Sequence, residues 1–293
     1  MVQEQLRKEA ARLLREGEVD VFIGYARGSL PAQSTVVFAR SSEDAQELVF
    51  DPTCHPNLAV YLPRFKKERV GVVVKACDAR ALVELIRERQ VDPDKVLAIG
   101  VECPGVIDRD RWEEGMSLDD GEWKEALAVA CEHCRLPAVD LFHCWLGEKK
   151  VAVEEADAQV SSCPMDEDSE ERYRWFSAEM EKCIRCYACR QACPACYCPE
   201  CFTDRSHPDW VSPVHEPPEA MLFHLVRTLH LAGRCTDCGA CARACPQNIN
   251  LLALHRRMEA EAVRRFGYLS GQDPDAPSLL GSFSKDDSDD FIK

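Results

Sequence analysis

The chain has 293 residues, 46% of them hydrophobic and 18 of them cysteine, and a formal net charge of -15. That size suits two domains. The acidic balance, with scattered Lys and Arg and no basic patch, argues against a nucleic-acid partner, and no apolar run is long enough for membrane insertion. Without an apolar signal core at the N-terminus, the cysteines point to a reduced, cytoplasmic setting and to metal ligation rather than disulfides.

In chain order, Met1 to Glu16 reads as a charged amphipathic helix and Val19 to Ile23 as an apolar strand. Gly24, Arg27, Gly28 and Ser29 follow it and form a weak candidate for a flavin phosphate loop, although a Gly-Arg-Gly turn is more often only a turn. No G-x-G-x-x-G follows a strand to bind FAD. Val70 to Lys75 is a continuous apolar run suited to a strand covered on both faces. Asp78 to Gln90 carries Leu82, Leu85 and Ile86 on one helical face, and Val96 to Val101 is a further strand. A strand-helix-strand unit has parallel strands, so Cys77 and Cys103, each just past a strand, share the carboxyl edge where open parallel sheets bind ligands. Cys131-Glu-His-Cys134 completes a four-thiol set. Zinc and a 4Fe-4S cube compete for it, and Cys77 is expected at a helix N-terminus, where amide dipoles favour the thiolate.

Acidic residues from 148 to 172 mark a linker, and a cysteine-rich block runs from 173 to 270. Two runs in it share one spacing, Cys183-x2-Cys186-x2-Cys189-x3-Cys193-Pro194 and Cys235-x2-Cys238-x2-Cys241-x3-Cys245-Pro246. In two-cluster ferredoxins three thiolates of each run hold one cube and the fourth reaches to the other. Cluster one would take Cys183, Cys186, Cys189 and Cys245, and cluster two Cys235, Cys238, Cys241 and Cys193. Zinc has no use for a third evenly spaced cysteine, so the cube is the better reading.

The 41 residues between Cys193 and Cys235 leave room for a helix. Pro217-Pro218 would start it, Met221, Leu222, Leu225, Val226 and Leu229 would form its apolar face, and Gly233 would cap it. Leu251, Leu252, Leu254, Met258, Val263 and Phe266 suggest another. Cys196, Cys198 and Cys201 crowd three thiols into six residues. They could form an extra metal site with Cys54, Cys144, Cys163, His207 or His215, one could replace Cys193 as a ligand, or all could be free thiols. Residues 271 to 293 read as an acidic flexible tail, with Asp286, Asp287, Asp289 and Asp290 near its end.

The segment from His230 to Pro246 resembles the helical ferredoxin modules of fumarate reductase iron-sulfur subunits and heterodisulfide reductase small subunits. Val72 to Leu82, Ile99 to Val106 and Cys131 to Pro137 resemble the beta subunits of coenzyme F-420 (deazaflavin) hydrogenases and related formate dehydrogenases. That likeness implies a third cluster on Cys77, Cys103, Cys131 and Cys134 beside a flavin. The chain departs from the family in placing its ferredoxin runs after this domain, and in their helical kind.

The sequence therefore predicts an α/β N-terminal domain over 1 to 147 with a mainly parallel sheet, followed by a mainly α helical ferredoxin-type domain. The expected function is an iron-sulfur electron-transfer subunit in a cytoplasmic oxidoreductase complex. Its expected partners are a catalytic formate dehydrogenase or hydrogenase subunit and a heterodisulfide-reductase-like or flavin acceptor subunit. Two further readings are a flavoenzyme reducing deazaflavin or NAD itself and a zinc-stapled interaction scaffold.

Overall fold

A computed structural model describes residues 2–119, 121–132, 134, 139, 141–147, 168–214 and 216–281. Helix α1 (Val2–Arg15) turns Leu6, Ala10 and Leu13 inward, the face its sequence periodicity predicts. Strands β1 (Val21–Arg27) and β2 (Ser34–Ala39) form an antiparallel hairpin, and β3 (Val70–Val74) lies parallel to β1. Every residue of β3 is buried, as its unbroken Val-Gly-Val-Val-Val run requires of a strand covered on both faces.

Helix α2 (Ala76–Arg87) follows at once, its start fixed by the Asp78 carboxylate accepting the Lys75 N–H at 3.2 Å. Strand β4 (Val96–Val101), the short helix α3 (Val129–Glu132) and strand β5 (Cys144–Leu146) complete a five-stranded sheet of order β2-β1-β3-β4-β5, parallel except for the hairpin. The α/β domain with a mainly parallel sheet is thus as the apolar runs predict.

The second half is helical. Helix α4 (Ser169–Glu181) is capped by Asp168, whose side chain accepts the N–H groups of Glu170 and Glu171. The stretch expected as linker thus ends in an ordered helix, and residues 148 to 167 lie outside the described ones. Short helices α5 (Ala188–Gln191) and α7 (Ala240–Arg243) each follow the second cysteine of a run, with α6 (Pro217–His230) between them and α8 (Leu251–Phe266) behind.

The leucine face predicted for α6 does not face the core. The helix buries Ala220, Phe223, His224, Arg227 and Thr228, and Leu222, Leu225 and Leu229 are exposed. Its inner face meets thiols and buried polar groups, so hydrophobicity alone picks the wrong side.

The chain after α8 folds back on α2. Arg80, 1% exposed, donates from Nε to the Ser270 carbonyl at 2.9 Å, Gly271 N–H donates to Glu84, and Arg87 Nε donates to the Ala276 carbonyl. The flexible tail expected from Gly271 therefore begins as a docked strap, and its acidic end from 282 onward lies outside the described residues. Composition hid this because the strap is held through its backbone, which carries no compositional signal.

Candidate metal centres

The carboxyl ends of β3 and β4 open into a cavity of about 130 Å³ lined by Cys77, Cys103, Cys131 and Cys134 together. Each thiol arrives by a separate element. Cys77 is the second residue of α2, Cys103 lies just past β4, Cys131 sits in α3 and Cys134 just beyond it. Gly105, at φ +109°, turns the chain back from Cys103, and a Cβ there would stand 2.6 Å from the Leu127 side chain.

Behind the cavity Lys75 and Asp78 form an ion pair of 2.8 Å, both almost wholly buried. The Lys75 ammonium also donates to the Tyr25 hydroxyl and, at 3.1 Å, to the Pro56 carbonyl. Its charge faces the thiols of Cys77 and Cys103. Burial nevertheless pushes the Cys77 thiol far up and the Cys103 thiol to about 11. The thiolate stabilisation expected from the helix N-terminus at Cys77 is thus outweighed by desolvation. Such thiols hold their protons at neutral pH until a metal displaces them.

The two ferredoxin runs fold into matching loops. Arg185 and Asp237, at φ 52° and 51°, occupy the same place in each, as do Tyr187 at 57° and Gly239 at 68°. Three of these four left-handed residues are not glycine, a strained conformation that persists where the surroundings demand it. The payoff is equivalent in both loops. The Arg185 N–H donates to Cys183 Sγ at 3.4 Å, and the Asp237 N–H donates to the Cys235 thiol. Thiols of the two runs also face one another, Cys189 and Cys241 among them. Cys245 faces Cys183 and Cys189, while Cys193 faces Cys238 and Cys241. Burial raises the thiols of Cys183, Cys235 and Cys238, takes Cys189 to about 12 and Cys241 to about 11, and Cys186 is exposed.

Cys238 joins the two halves. It lines the same cavity as Cys77, Cys103, Cys131, Cys134 and Asn57. Arg243 locks this contact, donating at 2.9 Å to the His55 carbonyl of the sheet domain and at 3.0 Å to the Cys238 carbonyl. Cysteine spacing carries no signal for Asn57, Lys75 or Arg243, which act from outside the motifs.

Gly24, Arg27, Gly28 and Ser29 do not make a phosphate loop. Gly24 lies inside β1 with Leu48 against it, Arg27 pairs with Asp51 at 3.0 Å, and the Gly28 N–H is taken by the Gln33 carbonyl at 2.9 Å in the β1-β2 hairpin. A turn that closes a hairpin spends the amide a phosphate would need.

Cys196, Cys198 and Cys201 share a second cavity of about 250 Å³ with Arg190, Arg227 and Arg234, and the Cys193 and Cys196 thiols are hydrogen-bonded to one another. Cys54 is sealed in the sheet-domain core, Cys144 is in β5 and His207 bonds to Ser206, so none of these three completes a site with that trio. Cys163 and His215 lie outside the described residues. Among the described residues no three His, Cys, Asp or Glu side chains close tightly enough to hold a single ion.

No protein-family model matches the chain. Over nearly its whole length, however, it is similar to the beta subunits of F-420-dependent formate dehydrogenases. It is 24% identical over 349 aligned residues, covering 92% of this chain and 91% of its relative, to the F-420-dependent formate dehydrogenase subunit beta of Methanocaldococcus jannaschii. To the F-420-dependent formate dehydrogenase 1 subunit beta of Methanococcus maripaludis it is 26% identical over 353 aligned residues, covering 92% and 90%. Among solved structures, the F-420-reducing NiFe hydrogenase complex of Methanosarcina barkeri matches 38% of this chain and 43% of its own at 20% identity, with a TM-score of 0.31. No helix of the described residues is long and apolar enough to cross a membrane.

Proposed function

We propose that the chain is the electron-transfer subunit of an oxidoreductase complex and carries three 4Fe-4S cubes in series. The first is held by Cys77, Cys103, Cys131 and Cys134, the second by Cys235, Cys238, Cys241 and Cys193, and the third by Cys183, Cys186, Cys189 and Cys245. The observation that carries this reading is the place of Cys238, a ferredoxin-loop cysteine lining the cavity where the four sheet-edge cysteines converge.

The donor sets suit cubes. In each ferredoxin loop a backbone N–H already donates to sulfur, the kind of bond that tunes a cluster's potential. The four sheet-edge thiols line one void, which suits a group that binds each cysteine through a different iron. Each cube would pass one electron at a time, while the protein fixes spacing and excludes water. The relatives' names speak for a formate-oxidising catalytic subunit as one partner, and a heterodisulfide-reductase-like or flavin-bearing subunit would be the acceptor on the other side. Anaerobically purified protein should hold about twelve irons with matching sulfide and show cluster EPR signals on reduction. A preparation holding only zinc would sink the reading.

A second reading is favoured by the relatives' dependence on F-420: that the chain itself exchanges electrons with a deazaflavin through a bound flavin. The same preparation decides it, since stoichiometric FAD is then required and a cluster-replete, flavin-free protein rules it out.

A further inference from the structure

We propose that Arg227 is the fixed positive charge that sets the reduction potentials of both ferredoxin cubes together. This inference rests on the ligand assignment above. Arg227 is on the inner face of α6 and 3% exposed. Its Nη2 donates to the Cys189 carbonyl at 3.2 Å and its Nη1 to His255 Nε2 at 2.8 Å, while Nε has no partner. The side chain shares a cavity with Cys196, and its charge faces Cys193, Cys241, Cys196 and Cys189. Cys189 belongs to one cube, and Cys193 and Cys241 belong to the other, so Arg227 stands at their junction.

The groups facing this charge are thiols, not carboxylates. A buried guanidinium without an anion is costly. The negative charge that balances Arg227 is then supplied by the thiolate-bound cubes themselves.

His255, which accepts from the guanidinium, is held well below its ordinary value by burial and by Arg227 and adds no charge. His255 therefore orients the guanidinium as a neutral acceptor. On reduction each cube gains one electron and no bond is made or broken, so a nearby fixed cation favours the reduced form in each. Because the side chain is at the junction, the effect is shared. The cube at the sheet edge, whose nearest buried cation is Lys75, serves as an internal reference.

The test is an EPR-monitored redox titration of the anaerobic holoprotein, with signals assigned through Cys77→Ser. Arg227→Gln should keep the full iron content, shift both ferredoxin cubes to lower potential and leave the sheet-edge cube where it was. Arg227→Lys should restore most of the shift. A glutamine variant with full iron and unmoved potentials, or with only one cube moved, would overturn the proposal. Should Arg227→Gln lose iron, pulsed EPR on wild-type protein labelled with guanidino-15N arginine replaces it. Both reduced cubes should then show a nitrogen coupling that Arg227→Lys removes, and identical spectra overturn the proposal. Wild-type protein without cubes would instead overturn the ligand assignment itself.

Discussion

Arg234, at the entrance to the second ferredoxin loop, grips both carboxylate oxygens of Glu88 at the end of α2, with Nη2 to Oε2 at 2.8 Å and Nε to Oε1. Both side chains are nearly buried, and the guanidinium lies over the Tyr197 ring at 5.2 Å from its centroid. This pair clamps the sheet domain to the ferredoxin domain beside the cavity of Cys196, which Arg234 lines. Glu88→Ala should destabilise the folded chain by about 3 kcal/mol, because it strands a buried cation. Glu88→Ala with Arg234→Ala should cost less than the two single changes combined. Urea unfolding of the four proteins in a double-mutant cycle measures the coupling.

Single cysteine replacements should remove cubes one at a time. Cys77→Ser is expected to lower the iron content by about four per chain and spare the two ferredoxin signals, since its partners line only the sheet-edge cavity. Cys245→Ser should instead affect the cube of Cys183, although it lies in the other run, because its thiol faces Cys183 and Cys189. Iron analysis with EPR reads both, and a Cys245→Ser protein that lost the cube of Cys235 would refute the crossed ligation.

Gly271 should be intolerant of side chains. Its φ is +72°, and a Cβ would collide with the Arg80 backbone carbonyl. Gly271→Ala is expected to cost about 1–3 kcal/mol and to loosen the strap, so that limited proteolysis cuts near residue 270 sooner than in the parent.

Stability should fall as pH rises through neutrality, and Glu259 should account for it. Burial lifts its carboxyl from 4.5 to about 7, against the bonds it accepts from Ser270 Oγ at 2.6 Å and the Gly233 N–H at 3.0 Å. A carboxyl whose folded value is raised stabilises the fold below its unfolded value, and that contribution is lost as pH climbs through the folded one. The interval, at about 1.4 kcal/mol per pH unit, amounts to about 3 kcal/mol between pH 4 and pH 8. Glu259→Gln should flatten that part of the profile in urea titrations. An unchanged slope would show that some other group carries it.

Much of this was legible in the residues because both codes are local. Unbroken valine runs specify buried strands, and the repeated cysteine spacing specifies matching loops. The convergence of Cys77, Cys103, Cys131 and Cys134 was also legible, since strand ends of one parallel sheet lie along one edge. Other features were hidden for physical reasons. The inner face of α6 mixes Ala220 and Phe223 with the polar His224, Arg227 and Thr228, which defeats hydropathy, and the strap on α2 is held by backbone carbonyls that no composition reveals. Gly28 looked like a phosphate turn because a hairpin turn and an anion nest use the same residue types.

The uneven burial of the Cys183 run has a chemical consequence. Cys183, Cys189 and Cys245 are sealed, while Cys186 stands open to solvent. On the proposed ligation, the iron held by Cys186 would be the one most open to the medium. Molecular oxygen and peroxide would attack there first, extracting that iron and leaving a three-iron remnant. The edge that would be best placed to hand electrons to a partner would thus also be the one most sensitive to air, and a docked partner would act as its shield.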